Sequence, residues 1–255
     1  MKRLTFLITM LLTLILGSCS NSDASTKTEI LVAAASSMTP ALTDIAAKFE
    51  ETNKDIKVTF TFGSSGKLAQ QIKGGAPVDV YISANSTDMD ILEKADKIEP
   101  NTRATITKNT LVVIQQKGGV HSLVNAENPL MTEETHFAIG NPDTVPAGIY
   151  AKEALVEMGE WEGLEPTLVF GKDVRQVLTF VETGNAERGI VFTSDAKSSD
   201  RVEVILEINP ELHSSADYPG AIVASTEQPE AAHAFLDYMK TQKVQEVLTD
   251  YGFTN

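Results

Sequence analysis

Cysteine is almost absent, with Cys19 the only one in 255 residues. No disulfide can form within one chain, so the folded part must rest on its apolar core. Histidine is scarce as well. His121, His136, His213 and His233 fall at no metal-ligand spacing and have no second cysteine to join, so the sequence carries no signature of a cation site. Positive charge is in short supply: 21 Lys and Arg stand against 35 Asp and Glu, a formal net charge of −14. That balance argues against a nucleic-acid surface. It also means that a bound anion would have to be held by local dipoles and hydrogen bonds, not gathered by the global field. Long apolar runs are missing too. The stretch from Phe6 to Leu16, broken by Thr9 and Thr13, is shorter than the roughly 20 residues a membrane-spanning helix needs.

What is present begins with that stretch. Lys2 and Arg3 ahead of it make a basic start, and the whole reads as a secretory leader rather than a membrane anchor. It ends in Leu16-Gly17-Ser18-Cys19, which resembles the lipobox of bacterial lipoproteins. The resemblance implies cleavage before Cys19 and acylation there; an ordinary signal peptide with a small-residue cleavage site is the alternative. Residues 1–18 are expected to be the signal peptide and 19–28 the lipidated cysteine with a polar tether. The product would be extracytoplasmic, held to a bacterial membrane by a lipid alone.

From Glu29 onward strand and helix patterns alternate, which predicts an α/β fold with mainly parallel sheets and helices on both faces. Glu29–Ala35, Val58–Phe62 and Val78–Ser83 read as strands. Pro40 suits the first helical position, and Leu42, Ile45, Ala46 and Phe49 give that helix one apolar face. A second set begins near Leu111, with strands at Phe137–Ile139 and Ile190–Phe192. Helices follow Pro146 and Asp173, and a late one follows Pro229. No convincing internal repeat is visible. Two sets of strands predict two lobes, 29–109 plus 219–255 and 110–218, with the chain crossing between them near Asn109 and Tyr218.

Four junctions that open helices carry small residues or a capping residue: Ala35-Ser36-Ser37, Gly63-Ser64-Ser65-Gly66, Val145-Pro146-Ala147-Gly148 and Lys172-Asp173-Val174-Arg175. In open parallel sheets ligands bind beyond the carboxyl ends of strands, where such junctions fall. Helix N-termini present unpaired N–H groups and a partial positive charge, so several aimed at one point can hold an anion without a charged side chain. Each junction has a plainer reading. Paired serines can simply cap a helix, a Pro-Ala-Gly run can simply start one, and Val174 can be core. Ser64-x-x-Lys67 also matches the spacing of serine hydrolases that act on β-lactams. The companion motifs of that chemistry are missing: Ser194-Asp195 is followed by Ala196, and Lys117 by Gly118-Gly119.

Several segments occur in a telling order. They are Ala33-Ala34-Ala35-Ser36, Phe62-Gly63-Ser64-Ser65, Gly74-Gly75-Ala76-Pro77-Val78-Asp79, the run from Asn141 through Pro146-Ala147-Gly148-Ile149-Tyr150 to Leu155, Asp173-Val174-Arg175 and Gly189-Ile190-Val191-Phe192. Together, from about Ile30 to Tyr251-Gly252-Phe253, they resemble the periplasmic molybdate-binding proteins of ABC transporters. The resemblance implies a two-lobed, flytrap-like periplasmic-binding-protein fold that holds molybdate or tungstate in the cleft and delivers it to an ABC permease. It implies a monomer with no cofactor and no catalysis. Carried over, Ser36 and Ser65 would donate hydroxyl and main-chain hydrogens from the first lobe, and Ala147 and Val174 main-chain N–H from the second. The family pattern often has tyrosine where this chain has Phe192, which cannot donate. Water, Tyr150 or Tyr218 could compensate, or the site could have one donor fewer.

An all-donor site suits molybdate and tungstate, which carry no proton near neutral pH, and penalises protonated phosphate. Sulfate and small carboxylates are rival ligands. A carboxylate would draw a bidentate arginine, and Arg175 is the one candidate at these junctions. Lys67 and Arg175 otherwise read as solvated cations on helix faces.

Overall fold

The computed structural model describes residues 27–118, 130 and 136–254. The expected leader, Cys19, most of the tether and His121 lie outside them.

The first set of elements is β1 (Thr28–Ala35), a 3-10 turn (Ser36–Met38), α1 (Thr39–Thr52), β2 (Ile56–Gly63), α2 (Ser65–Lys73), β3 (Val80–Ile82), α3 (Ser86–Lys94) and β4 (Ala104–Lys108). The chain then crosses through Asn109 and Thr110 into β5 (Leu111–Gln116) and β6 (Phe137–Gly140). There follow α4 (Pro146–Glu157), α5 (Trp161–Leu164), β7 (Leu168–Gly171), α6 (Val174–Glu182), β8 (Arg188–Phe192), α7 (Thr193–Lys197) and β9 (Val202–Glu207). It returns to β10 (Asp217–Ile222) and ends in α8 (Pro229–Met239) and α9 (Gln242–Asp250).

Two five-stranded sheets result, in the orders β2-β1-β3-β10-β4 and β7-β6-β8-β5-β9. They are wired alike. In each, a central strand pairs in parallel with two neighbours (β1 with β2 and β3, β6 with β7 and β8), and an antiparallel strand is inserted next to the third (β10, β5). The alternating pattern alone suggested a larger parallel share. The antiparallel strands are the ones that arrive from the other sheet: β5 enters from β4, and β10 from β9. Because β10 begins at Asp217, Asp217 and Tyr218 belong to the first sheet, two residues ahead of the boundary read from the sequence. Pro219, which breaks the strand signal, sits at an irregularity between Tyr218 and Pro219 where β10 meets β4.

The strand period of two explains the layers of the first sheet. Ile30, Val32 and Ala34 face one core with Leu42, Ile45 and Phe49 of α1 and with Phe235 of α8. Leu31 and Ala33 face the other, with Leu68 and Ile72 of α2 and Met89 and Leu92 of α3. In the second sheet α6 buries Val174, Val177, Leu178 and Val181, and α4 buries Tyr150, Ala151, Ala154 and Leu155. This stacking sets where helices begin. The paired strands β1 and β2 end level, at Ala35 opposite Gly63. The paired strands β6 and β7 also end level, at Gly140 opposite Gly171. Each end feeds one of the four small-residue junctions.

Candidate functional site

The four junctions meet at one small cavity of about 10 Å³ between the sheets. Ser36, Ser65, Ala147, Val174 and Phe192 all line it, so the structure brings together the four expected anion contacts and the phenylalanine that stands at the family's tyrosine position. Among the described residues no charged side chain lines it.

Backbone geometry puts donors there. Ser65 and Val174 open α2 and α6, and Ala147 follows Pro146 at the start of α4. Amides in a first helical turn have no carbonyl of their own helix to bond, so these three residues bring unpaired N–H groups to the cavity's lining. Close packing seats α4. A Cβ on Gly148 would lie 2.0 Å from the carbonyl oxygen of Gly140, so only glycine lets the helix start press against the end of β6. On α6 the Asp173 side chain accepts from the Gln176 amide at 2.9 Å and holds the helix start in place.

The serines do not do what paired serines at helix starts usually do. No side chain caps the turn at Ser36–Met38, and Ser64, which stands at the N-cap of α2, makes no capping bond. The Ser64 hydroxyl is buried and has no hydrogen-bond partner among the described residues. Ser65 is fully buried, and its hydroxyl oxygen accepts the Ala84 amide at 2.9 Å while its carbonyl accepts the Tyr81 hydroxyl at 2.9 Å. Its own hydroxyl hydrogen is left over. Ser37 and Ser64 also line the cavity, though neither was among the residues carried over from the family pattern. Their place beside Ser36 and Ser65 in doubled serines was the available signal.

Other expectations are settled by placement. Lys67 is no base for Ser64, because the Ser64 hydroxyl has no partner, so a Ser-x-x-Lys nucleophile is not assembled. Arg175 points away from the cavity: it donates to the Ser198 hydroxyl and stands 3.7 Å from the buried carboxylate of Asp195. It is therefore not positioned to take a carboxylate ligand. Burial pushes Asp195 up to about 7, against the lowering influence of Arg175. Lys67 lies with Lys172 beside a second hollow that shares Gly63 and Ser64 with the cavity. Phe192 closes the wall with carbon, edge-on to Tyr150 and Tyr218 at centroid separations of 6.4 and 5.8 Å. Neither tyrosine replaces the missing hydroxyl: Tyr150 donates to the Ala84 carbonyl at 3.2 Å, and Tyr218 pairs with the Ser37 hydroxyl at 2.8 Å. Among the described residues no group of His, Cys, Asp and Glu could hold a metal ion.

The arrangement is closed. The Tyr150–Ala84 bond joins the second sheet's α4 to the first sheet's β3 end, and the Gly66 amide donates to the Thr144 carbonyl at 3.2 Å. At the first crossing, Asn109 donates to the Ser194 hydroxyl at 2.8 Å. A site of this kind can surround a small anion with N–H and O–H groups from both sheets and shut water out.

Known proteins resemble this chain in sequence and fold. The model of the bacterial extracellular solute-binding protein family matches residues 30–254. The Molybdate-binding protein ModA of Escherichia coli is 39% identical over 230 residues, 89% of each chain. A Bacillus subtilis protein named as an ABC transporter substrate-binding lipoprotein is 34% identical over 245 residues, 94% of each chain. The solved periplasmic molybdate-binding protein of Azotobacter vinelandii superposes with a TM-score of 0.80, covering 89% of this chain and 99% of that one, at 24% identity. Through the family match and the two relatives above 30% identity, this chain belongs to the bacterial extracellular solute-binding proteins.

Proposed function

We propose that this protein captures molybdate or tungstate in the cavity between its two sheets and delivers it to an ABC permease. The observation that carries the reading is the cavity itself. It is a small space ringed by the first-turn amides of three helices, by serine hydroxyls with hydrogens to spare, and by no charged side chain. The room it leaves, about 10 Å³, is far below the roughly 300–1,000 Å³ of pockets for drug-sized ligands, so the ligand has to be small. A fully deprotonated tetrahedral oxyanion matches a ring of donors. A ring that offers no acceptor leaves the O–H of hydrogen phosphate unpaired, which works against it. The relative of 39% identity is named for molybdate, which agrees with this choice.

The functional lobes would each be built on one sheet, the first from 29–109 and the returning C-terminal segment, the second from the residues between. The anion bonds to both, so its binding favours the closed arrangement, which the permease would recognise. Cys19, through its lipobox, would tether the protein as a lipid-anchored monomer on the outer side of a membrane. No catalytic step is assigned to it.

The test is calorimetry of the purified protein with molybdate, tungstate, sulfate and phosphate, paired with thermal shifts. Molybdate and tungstate should bind in the micromolar to nanomolar range, about 8–12 kcal/mol, and raise the melting temperature. Preference for sulfate or phosphate would overturn the reading.

A further inference from the structure

Hydrogen-bond bookkeeping in the cavity singles out two hydroxyls beyond the four expected contacts. Ser64 occupies the position from which a serine ordinarily accepts an amide of its helix's first turn. Its backbone there is extended (φ −71°, ψ 137°), yet among the described residues its hydroxyl bonds to nothing, and it is sealed from solvent. A buried hydroxyl left unpaired destabilises a protein, and native structures rarely keep one without a use.

Ser37 shows the same surplus by a different route. Its hydroxyl lies 2.8 Å from that of Tyr218, and the Asn109 side-chain amide donates to the same Tyr218 oxygen at 3.4 Å. Tyr218 is fully buried, and the Ser37 oxygen is the only acceptor beside its hydroxyl among the described residues. The Tyr218 hydrogen therefore goes to Ser37, and the Ser37 hydrogen is left facing the cavity without a protein acceptor.

We propose that Ser37 and Ser64 are direct donors to the bound anion. With Ser36 and Ser65 they make four hydroxyls on the first sheet's side, while the second sheet's side closes through the amides of Ala147 and Val174 and the carbon wall of Phe192. This rests on the oxyanion reading of the cavity. It accounts for how a site with phenylalanine at 192 still surrounds four oxygens, and it gives Asn109, at the crossing between the sheets, a positioning role through Tyr218.

Molybdate titrations of the wild type, Ser64→Ala and Ser37→Ala, with melting curves of each free protein, test it. Ser64→Ala should weaken binding about tenfold or more and leave the free protein's melting temperature unchanged or higher, because no bond within the protein is lost. Ser37→Ala should weaken binding similarly but lower the free melting temperature, because Tyr218 loses its partner. Wild-type affinity in Ser64→Ala, or a lowered free melting temperature with unchanged affinity, would overturn the inference and leave the oxyanion reading standing. A wild type that binds none of molybdate, tungstate, sulfate and phosphate would overturn both.

Discussion

The amide of Gly66 donates to the carbonyl of Thr144 at 3.2 Å, and a Cβ on Gly66 would stand 2.8 Å from that same oxygen. Gly66 follows Ser65 directly, and Thr144 lies three residues before Ala147. The contact that shuts the cleft is thus one to three residues from proposed anion donors on both sides. Gly66→Ala should hold the two sides apart, because backbone on each side has to give way. Molybdate affinity should fall about tenfold, in keeping with an impaired closure equilibrium. The free protein should melt nearly as before, since the site sits at the cleft rather than in either core. Small-angle scattering with and without ligand gives the second readout: the compaction seen in the wild type should shrink. Wild-type affinity in this variant would mean that the cleft does not close on this contact.

Ser65 and Val174 should differ in how substitution affects affinity. The Ser65 hydroxyl accepts the Ala84 amide and offers its hydrogen to the cavity. Ser65→Ala should therefore weaken molybdate binding by about tenfold or more and also destabilise the free protein by about 1–3 kcal/mol, the cost of a stranded buried amide. Val174 contributes a main-chain N–H, which any residue but proline supplies. Val174→Ala should cost core stability, since the side chain is buried in α6, yet keep molybdate affinity within about twofold. Calorimetry and denaturant melts on the pair check both. A large affinity loss in Val174→Ala would show that its side chain, not its amide, matters.

Much of this site was legible because helix starts announce themselves. Pro40, Pro146, Asp173 and Pro229 each mark a helix that the structure contains at that place. Parallel strands ending level then bring the junctions after them together. What was not legible depends on tertiary placement. The likeness of the two sheets lies in connectivity, not in residue spacing. Strand β10 carries Pro219 in its middle, which is accommodated by an irregular pairing with β4. Ser64 read as a helix cap, because only coordinates reveal that its hydroxyl goes unused. Arg175 looked available for a ligand until its neighbours Ser198 and Asp195 were seen to occupy it.

Asp195 gives stability a pH dependence of predictable sign. Its carboxyl is fully buried in α7, and burial pushes it up from 3.8 to about 7, while Arg175 at 3.7 Å pulls the other way and Asp173 adds to the rise. The folded protein thus keeps a proton that the unfolded chain releases between those two values. Stability from this group is complete below pH 3.8 and is lost as pH rises towards 7. Asp88, pushed up to about 6 by burial, acts in the same direction. Asp195→Asn should raise the melting temperature at pH 8 and narrow the gap between pH 5 and pH 8. The Asp88 contribution should keep the gap from closing. A gap of wild-type size would mean that Asp195 is ionised in the folded protein.

Lys67 and Lys172 should govern how fast the anion arrives rather than how long it stays. They come from opposite sides of the cleft, Lys67 on α2 and Lys172 just before α6, and line the hollow that shares Gly63 and Ser64 with the cavity. Neither ammonium makes a salt bridge among the described residues, and neither lines the cavity itself. The chain as a whole carries −14, so a dianion approaching from a distance is repelled. Two uncommitted cations beside the cavity reverse that locally, with Asp173 next to them partly offsetting the effect. Charges placed in this way raise association rates and leave the bound state little changed. The double variant Lys67→Gln/Lys172→Gln should bind molybdate several-fold more slowly in stopped-flow experiments at low ionic strength, with dissociation unaltered. At about 1 M salt, where screening acts over roughly 3 Å, the two proteins should converge. Equal association rates at low salt would show that the lysines are solvated cations with no part in capture, whereas faster dissociation in the variant would mean that they touch the bound anion.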